Sequence, residues 1–229
     1  MLGEKAGVII ALDLLDLKKA LDIVTRTHDL VNGYKIGFSL GLSFGLPTVA
    51  AAIRKIANVP LIYDHQKAAT DIPDTAVIFA EACKSMDAII FVPQSGPKTL
   101  EAWVKAVQNV AKTVIVCGEM THPGFLRKDG GYLCDDAPER IYKLASQLGV
   151  THFVVPGNKA ESIRKYIDII IKSGVKNPVL YSPGLITQGG ILKEARKAAG
   201  TRWQAIIGRA IITAKDPRSA TKEIIDQIQ

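Results

Sequence analysis

Four charged residues near the second and third predicted strands have the types needed for acid–base chemistry. Lys35 stands inside an apolar segment, and Asp64, Lys67 and Asp71 follow within a short stretch of chain. Each opposite charge favours the ionised form of its neighbour, and an unpaired lysine in an apolar strand is costly. The four residues are therefore predicted to form a network of alternating charges that can hold and transfer a proton. A buried ion pair without a catalytic role is the alternative.

A second group of residues has the features of a phosphate site. Gln188, Gly189 and Gly190 precede a predicted helix, and Gly208 and Arg209 end the last predicted strand. Glycines let backbone N–H groups approach phosphate oxygens, and a helix N-terminus favours an anion. Arginine can bind the same anion through two hydrogen bonds. A plain turn and a surface cation are the alternative interpretation.

Several other chemistries lack their sequence signatures. The chain has no HExxH or P-loop motif and no nicotinamide or flavin motif, and its four histidines are scattered. We therefore expect neither a metal nor a cofactor. A phosphate site beside a Lys/Asp cluster favours proton-transfer or carbanion chemistry on a phosphorylated small molecule.

Eight short apolar runs rich in β-formers can position these residues. They alternate with helix-like segments at nearly regular intervals, with one longer step after the fifth run. Continuously apolar runs suit strands buried on both faces, and eight strand–helix units predict one (β/α)8 TIM barrel over residues 1–229. A doubly wound open sheet is the alternative, but it usually has fewer strands, and no GxGxxG follows the first run.

The boundaries of these elements follow from periodicity and turn residues. The predicted strands are Gly7–Leu12, Gly33–Phe38, Val59–Tyr63, Asp87–Val92, Thr113–Cys117, Thr151–Val155, Asn177–Tyr181 and Gln204–Ile207. The predicted helices are Asp16–Thr27, Pro73–Ser85, Gly96–Ala111, Pro138–Leu148, Ala160–Ser173, Gly190–Ala199 and Pro217–Ile228. Active sites of such barrels lie at the C-terminal ends of the strands. The long segment 119–137 after the fifth strand is therefore a candidate lid.

Composition narrows the partners and the compartment. The 29 Lys+Arg and 22 Asp+Glu residues leave a charge of +7 without any run of five basic residues, so we expect no nucleic-acid partner. Cys83, Cys117 and Cys134 are odd in number and widely spaced, which predicts two core thiols and one loop thiol in a reducing cytoplasm. The N-terminal apolar run ends at Asp13, too short for a signal peptide or a membrane span.

The motifs, taken in order, resemble those of orotidine 5′-phosphate decarboxylases, particularly the short archaeal forms. The matching segments cover nearly the whole chain: ALDLLD with Asp13, YKIGF with Lys35, the stretch from Asp64 to DIPDT, GEMTHPG with Thr121, and SPGLITQGG followed by IIGRAI. Each segment alone is only weak evidence for the family. The combination of DIPDT, SPG…QGG and GRAI is specific.

The resemblance implies a cofactor-free homodimeric barrel that converts orotidine 5′-phosphate to UMP and CO2 in de novo pyrimidine synthesis. It implies that Asp64 lies against the substrate carboxylate, that Lys67 protonates C6 once CO2 has left, and that the loop after strand five covers the base. The remaining implied contacts are Asp13 and Lys35 with the ribose hydroxyls, Thr121 with the pyrimidine, Gln188 and Arg209 with the phosphate, and Asp71 and Thr75 across the dimer in the partner's site. Pro183, Gly189 and Gly208 are also implied to bind the substrate.

The charged stretch departs from the family pattern in its spacing. The family usually has Asp-x-Lys-x-x-Asp, whereas DHQKAATD has one extra residue in each gap. Residues i and i+3 of a strand do not share a face, so the chain is predicted to bulge or leave the strand at His65 and Gln66. Lys67 and Asp71 could then share one side of a helical turn. We expect His65 to make a structural contact.

Two other functions stay open at this point. Magnesium-dependent sugar-phosphate decarboxylases and aldolases resemble this chain in their barrel, charged motif and phosphate site, but they have a Glu near strand two, where this chain has Lys35. A non-catalytic nucleotide- or RNA-binding barrel would fit the altered spacing and the charge of +7.

Overall fold

The computed structural model describes residues 2–3, 5–65 and 69–228. In this part of the chain, eight parallel strands close into a barrel in which each strand pairs with the next and the last pairs with the first. The strands are β1 (Gly7–Ala11), β2 (Gly33–Gly37), β3 (Leu61–Asp64), β4 (Ala88–Phe91), β5 (Thr113–Cys117), β6 (His152–Val154), β7 (Val179–Ser182) and β8 (Trp203–Ile207). The predicted TIM barrel is confirmed, with strand ends shifted by one or two residues.

Helices surround the barrel and connect its strands. They are α1 (Leu17–Thr27), α2 (Phe38–Phe44), α3 (Leu46–Arg54), α4 (Ala76–Ala82), α5 (Pro97–Asn109), α6 (Ala137–Gln147), α7 (Ala160–Lys172), α8 (Leu192–Ala199), α9 (Arg209–Ile212) and α10 (Pro217–Asp226). Each predicted helix corresponds to one of these, although Pro73–Ser85 begins as a 3-10 turn at Pro73–Thr75 and ends at Ala82. The sequence did not predict α2, α3 or α9. Among the described helices, none has the length and apolar character that crossing a bilayer requires.

Two apolar layers explain which strand residues reach the site. Tyr34, Ile36 and Tyr63 pack in the layer between the sheet and the helices. Side chains alternate along a strand, so Lys35 and Asp64 face the barrel interior, which contains the second apolar layer. Parallel strands covered by helices are buried on both faces, and the strand ends therefore supply the polar groups that meet at the mouth.

The burial of the three cysteines agrees with the predicted two core thiols and one loop thiol. Cys83 and Cys117 are buried, and Cys134 is exposed. All three are free cysteines. The barrel is therefore held by its apolar layers and backbone pairing rather than by a disulfide framework.

Candidate functional site

Two adjoining cavities open at the C-terminal ends of the strands. They have volumes of about 530 and 490 Å³ and share Asp13, Lys35 and Met120. We call the first the glycine-rich lobe; its other lining residues include Thr121, His122, Pro183, Gly184, Gln188, Gly208 and Arg209. We call the second the charged lobe; its other lining residues are Gly37, Phe38, Leu42, Asp64 and His65.

Lys35 forms the centre of a charge network between the two lobes. Its Nζ lies 2.5 Å from Asp64 Oδ2 and 3.1 Å from Asp13 Oδ1. Lys35 and Asp64 are buried, whereas half of the Asp13 side chain is exposed. Burial favours a lower pKa for Lys35, but the nearby Asp64 and Asp13 carboxylates outweigh it and raise that pKa. The ammonium group is therefore fully charged at neutral pH.

Strand register and one glycine bring these three side chains together. Lys35 pairs in register with Ala11 of β1, and Asp64 pairs with Gly37 of β2. A Cβ atom at Gly37 would lie only 2.5 Å from Asp13 Oδ1, well inside normal contact distance. The missing side chain at Gly37 therefore leaves the space that the Asp13 carboxylate occupies beside Lys35.

The turn after β7 gives the glycine-rich lobe its shape. Gly184 has φ +84°, and a Cβ there would lie 2.7 Å from Thr121 Cγ2 and 3.0 Å from Gln188 Oε1. Ile186 N–H donates to the Gly190 carbonyl at 2.8 Å, which closes the turn. Thr121 and Gln188 thus come from different loops and meet over a residue that must be glycine.

Arg209 lies across this lobe on the last strand–helix connection. It is exposed, begins the short helix α9 and follows Gly208 directly. The glycine-rich lobe therefore combines a guanidinium group with backbone N–H groups of tight turns, an arrangement suited to an anion such as phosphate.

The structure brings most of the predicted residues to this mouth. Those lining the two lobes are Asp13, Lys35, Asp64, Thr121, Pro183, Gln188, Gly208 and Arg209. Gly189 does not line either lobe, because it belongs to the turn itself, where its N–H donates to Ile186 O at 3.2 Å. Lys67 lies outside the described residues, as do Gln66 and Ala68.

Asp71 and Thr75 do not line either lobe of their own chain. Asp71 is exposed, and its Oδ1 accepts a hydrogen bond from Ile72 N–H at 2.7 Å. Thr75 Oγ1 donates to Ile72 O at 2.9 Å. Both residues are therefore hydrogen-bonded to the backbone of Ile72, whose side chain is itself exposed.

The chain leaves β3 immediately before the altered spacing. The strand ends at Asp64, and His65 is already outside it, as the i, i+3 argument predicted. His65 Nδ1 and Tyr63 OH share a hydrogen bond of 2.6 Å, and the imidazole packs edge-on against Phe79 of α4. Burial raises the pKa of Tyr63 to about 12, so its phenol remains protonated at neutral pH. These contacts fit the structural role expected of His65.

Apolar residues are the part of the site that motif analysis missed. Met120 lines both lobes, and Phe38 and Leu42 of α2 line the charged lobe. Their position at the ends of β5 and β2 was the available signal, but their side chains carry no distinctive chemistry.

The long loop after β5 is folded onto the barrel. Phe125 and Leu126 are buried in the interior apolar layer, and Arg127 N–H donates to Leu133 O at 2.7 Å. Of its residues, Met120, Thr121 and His122 line the two lobes. The remainder of the segment predicted as a lid lies outside the lining of both lobes.

The described acidic and histidine side chains offer little to a metal ion. Over residues 2–3, 5–65 and 69–228, no group of three or more His, Cys, Asp or Glu side chains is arranged to hold one. The Lys35 ammonium already stands between the Asp13 and Asp64 carboxylates.

Comparison with known proteins gives consistent matches over nearly the full length. The profile of the orotidine 5′-phosphate decarboxylase / HUMPS family matches residues 7–224. The orotidine 5′-phosphate decarboxylase of Methanosarcina barkeri is 33% identical over 229 residues, 99% of this chain and 96% of its own. That of Methanocaldococcus jannaschii is 32% identical over 221 residues, 94% of this chain and 95% of its own.

Solved structures agree with the sequence matches. The crystal structure of orotidine 5′-monophosphate decarboxylase from Methanocaldococcus jannaschii, complexed with the inhibitor BMP, aligns with a TM-score of 0.87 and 27% identity. That alignment covers 99% of this chain and 100% of the other. The enzyme from Pyrococcus horikoshii aligns with a TM-score of 0.80 and 28% identity, over 96% of this chain and 98% of the other.

Proposed function

The chain belongs to the orotidine 5′-phosphate decarboxylase / HUMPS family and is a decarboxylase of pyrimidine biosynthesis, and we propose how its residues perform this reaction without a metal or cofactor. The substrate carries both a phosphate and a carboxylate. The observation that carries the proposal is the buried Lys35, paired with Asp64 and Asp13, in a mouth that also contains Arg209.

The chemical difficulty is a carbanion at C6 that ordinary resonance does not delocalise. The enzyme must favour negative charge at C6 over negative charge on the departing carboxylate. In the proposal, the carboxylate of the substrate lies against Asp64, and the ammonium of Lys67 stabilises the carbanion before donating its proton to C6. Charges fixed in advance by the protein usually provide the largest share of such stabilisation.

Lys35 has a supporting part in this scheme. Because it neutralises Asp64 and Asp13 from within the barrel, it holds both carboxylates in fixed positions at the mouth. The outer, exposed part of Asp13 and the Lys35 ammonium are then placed to contact ribose hydroxyls. Preorganisation of this kind avoids reorienting charged groups during the reaction.

The phosphate is assigned to the glycine-rich lobe. Arg209 and Gln188 face it from the loops after β8 and β7, and Gly189 and Gly208 belong to the turns that shape it. Thr121 and Pro183, which line the same lobe, are assigned to the pyrimidine. Binding energy from the phosphate, which is remote from C6, can then serve to position the base.

A homodimer is proposed to complete the site. Several large apolar side chains are exposed on the segments next to Asp71 and Thr75 and along the charged lobe. They are Ile72, then Val77 and Ile78 of α4, and Phe38 and Leu42 of α2, which line that lobe. Contiguous exposed apolar surface marks interaction sites. A two-fold dimer through this surface would direct Asp71 into the partner's charged lobe and Thr75 to its ribose.

A magnesium-dependent mechanism is the second candidate within the same family. Such a site needs carboxylates free to coordinate the cation, whereas here Asp64 and Asp13 both contact the Lys35 ammonium. The proposal therefore expects turnover of orotidine 5′-phosphate that is insensitive to EDTA. Activity abolished by EDTA and restored by magnesium would instead favour the second candidate.

The role of Lys67 is tested by Lys67→Ala. The variant is expected to lose at least about a thousandfold in kcat, since a positioned proton donor contributes 10²–10⁴-fold and its charge adds electrostatic stabilisation. Loss of the substrate's absorbance measures turnover, and UMP binding by calorimetry serves as the control for an intact site. Near-wild-type decarboxylation by the variant would reject Lys67 as the proton donor.

A further inference from the structure

A second charge cluster, built on a buried glutamate, follows the C-terminal end of β5, and about a third of its lysine side chain is exposed. Glu119 is 2% exposed, and its Oε1 lies 2.5 Å from Lys159 Nζ. Its other carboxylate oxygen accepts a hydrogen bond from the Tyr166 hydroxyl. Burial, reinforced by the adjacent Glu119 carboxylate, raises the pKa of Tyr166, so the phenol stays protonated and donates. No step of the mechanism above uses these three residues.

The cluster joins the end of β5 to the next strand–helix unit. Lys159 immediately precedes α7, and Tyr166 lies within that helix. The Tyr166 ring packs on Tyr142 of α6 with centroids 4.7 Å apart, and Tyr142 OH donates to Val154 O of β6 at 2.7 Å. The Glu119 carboxylate is thus held by groups that are themselves fixed by packing and hydrogen bonds.

A second contact ties the same two segments together. Asn158 Nδ2, next to Lys159, donates to Thr121 O at 3.2 Å. Between the two tethered residues stands Met120, whose side chain lines both lobes and whose sulfur lies 4.0 Å from Cys117 Sγ. The stretch from Glu119 to Thr121 is therefore fixed at both ends against residues 158–159.

The Glu119–Lys159 ion pair is better suited to orienting the chain than to stabilising the fold. Desolvation of the buried Glu119 offsets most of its attraction to the partly exposed Lys159, so the pair contributes little net stability compared with apolar residues of similar volume. The pair does fix the orientation of the Glu119 carboxylate, because its two oxygens accept hydrogen bonds from donors that are themselves held in place. A displacement of Glu119 would move Met120 and Thr121, and a displacement of about 1 Å at a reacting site can cost 10²-fold in rate.

We propose that Glu119, Lys159 and Tyr166 are positioning residues, which set the depth at which Met120 and Thr121 meet the pyrimidine ring of the substrate. This inference rests on the proposed assignment of Thr121 to the base. It concerns the base rather than the phosphate, because Arg209 and Gln188 belong to the loops after β8 and β7.

The experiment compares two ligands that share the phosphate but differ in the base. Glu119→Gln, Lys159→Met and Tyr166→Phe are each expected to weaken UMP binding about tenfold, the loss of one charge-assisted hydrogen bond. Ribose 5-phosphate affinity is expected to change less than about twofold, because neither the phosphate nor the ribose contact moves. Lys159→Arg, which keeps the charge, is expected to restore UMP binding, and kcat should fall in the same three variants.

The chain offers a matched control on the same two helices. Glu139 and Lys165 pair at 2.5 Å between α6 and α7, but both are well exposed. Glu139→Gln is expected to leave both affinities unchanged. Loss of thermal stability in the three cluster variants with unchanged UMP affinity and kcat would overturn the proposal, as would equal losses of UMP and ribose 5-phosphate binding. Turnover of the unaltered enzyme reports separately on the decarboxylase function.

Discussion

At the scale of single residues, Lys35 shows how one side chain can organise a site. An ammonium group inside a barrel is expensive to desolvate, and Lys35 is tolerated because Asp64 and Asp13 both contact it. The same contacts hold the two carboxylates apart from each other and facing the mouth. The same contacts of Lys35 with Asp64 and Asp13 therefore affect both the stability of the fold and the geometry of the site. Unfolding and turnover, each measured as a function of pH, report on these two effects separately.

Replacing Lys35 is expected to destabilise the fold in a pH-dependent way. Lys35→Met removes the ammonium that pairs with the buried Asp64 and with Asp13, and removing one partner of a buried ion pair typically costs about 3–5 kcal/mol at neutral pH. Because the pKa of Lys35 is raised in the folded state, its contribution is complete below the ordinary value of 10.5 and is lost as pH rises beyond it. Urea unfolding of the unaltered protein and of Lys35→Met, measured from about pH 8 to about pH 11, should show the difference between their unfolding free energies shrinking at the alkaline end.

A lysine on the surface supplies the control for that measurement. Lys165 is more than half exposed, so Lys165→Met is expected to change the unfolding free energy by less than about 1 kcal/mol at every pH. A Lys35→Met cost as small as this would contradict the buried charge network. A cost that grows with alkalinity would contradict the direction given for the pKa of Lys35.

Motifs located charged residues far better than they located residues that act through packing. Asp13, Lys35, Asp64, Thr121 and Arg209 were all identifiable, because their chemistry is unusual at the end of an apolar strand. Met120 was not, because a methionine after a strand is ordinary core material. Lys159 and Tyr166 could not be identified either, because they lie 40 or more positions from Glu119 in the sequence and no local pattern indicates that they contact it.

At the scale of elements, the turn after β7 depends on a glycine for two separable reasons. Gly184 adopts φ +84°, and Thr121 and Gln188 leave no room for a side chain on its Cα. The first reason is conformational and applies to any left-handed position. The second is steric, and it connects the turn to the two proposed substrate contacts.

Gly184→Ala is therefore expected to raise KM as well as to lower stability. The left-handed conformation alone costs about 1 kcal/mol for alanine. The new methyl group would also lie only 2.7 Å from Thr121 Cγ2 and 3.0 Å from Gln188 Oε1, so one of these side chains must shift. Gly130→Ala is the matched control, since Gly130 has φ +85° and no atom within 4 Å of the added methyl. Steady-state kinetics and thermal unfolding of both variants separate the two effects; an unchanged KM in Gly184→Ala would refute the steric role.

Sequence periodicity predicted the barrel but not every helix of it. Strands buried on both faces and helices with one apolar side gave clear patterns, so all eight strands were located to within two residues. The pair α2 and α3 was missed because α2 exposes Phe38 and Leu42, where a surface helix usually presents polar residues. The four-residue α9 is too short to show any period.

At the scale of the whole molecule, the exposed apolar residues that prevented the prediction of α2 fit a dimer interface. Phe38 and Leu42 of α2 and Val77 and Ile78 of α4 are more than half exposed. His65 relates the two helices to the site, because it lines the charged lobe together with Phe38 of α2 and packs on Phe79 of α4. A dimer through this surface would bury the apolar groups and cover the charged lobe from one side.

The shared site is tested by mixing two inactive variants. If Asp71 acts in the partner's site, a heterodimer of Lys67→Ala and Asp71→Ala subunits contains one site with both residues intact and one with neither. Heterodimers purified through two different tags should then recover about half of the wild-type activity. Lys67→Ala paired with Asp64→Asn is the control, because both residues are assigned to the same subunit and neither site would be intact. Absence of recovery in the first heterodimer would place Asp71 in its own subunit's site, and the exposed apolar surface around Ile72 would then need another explanation than a shared active site.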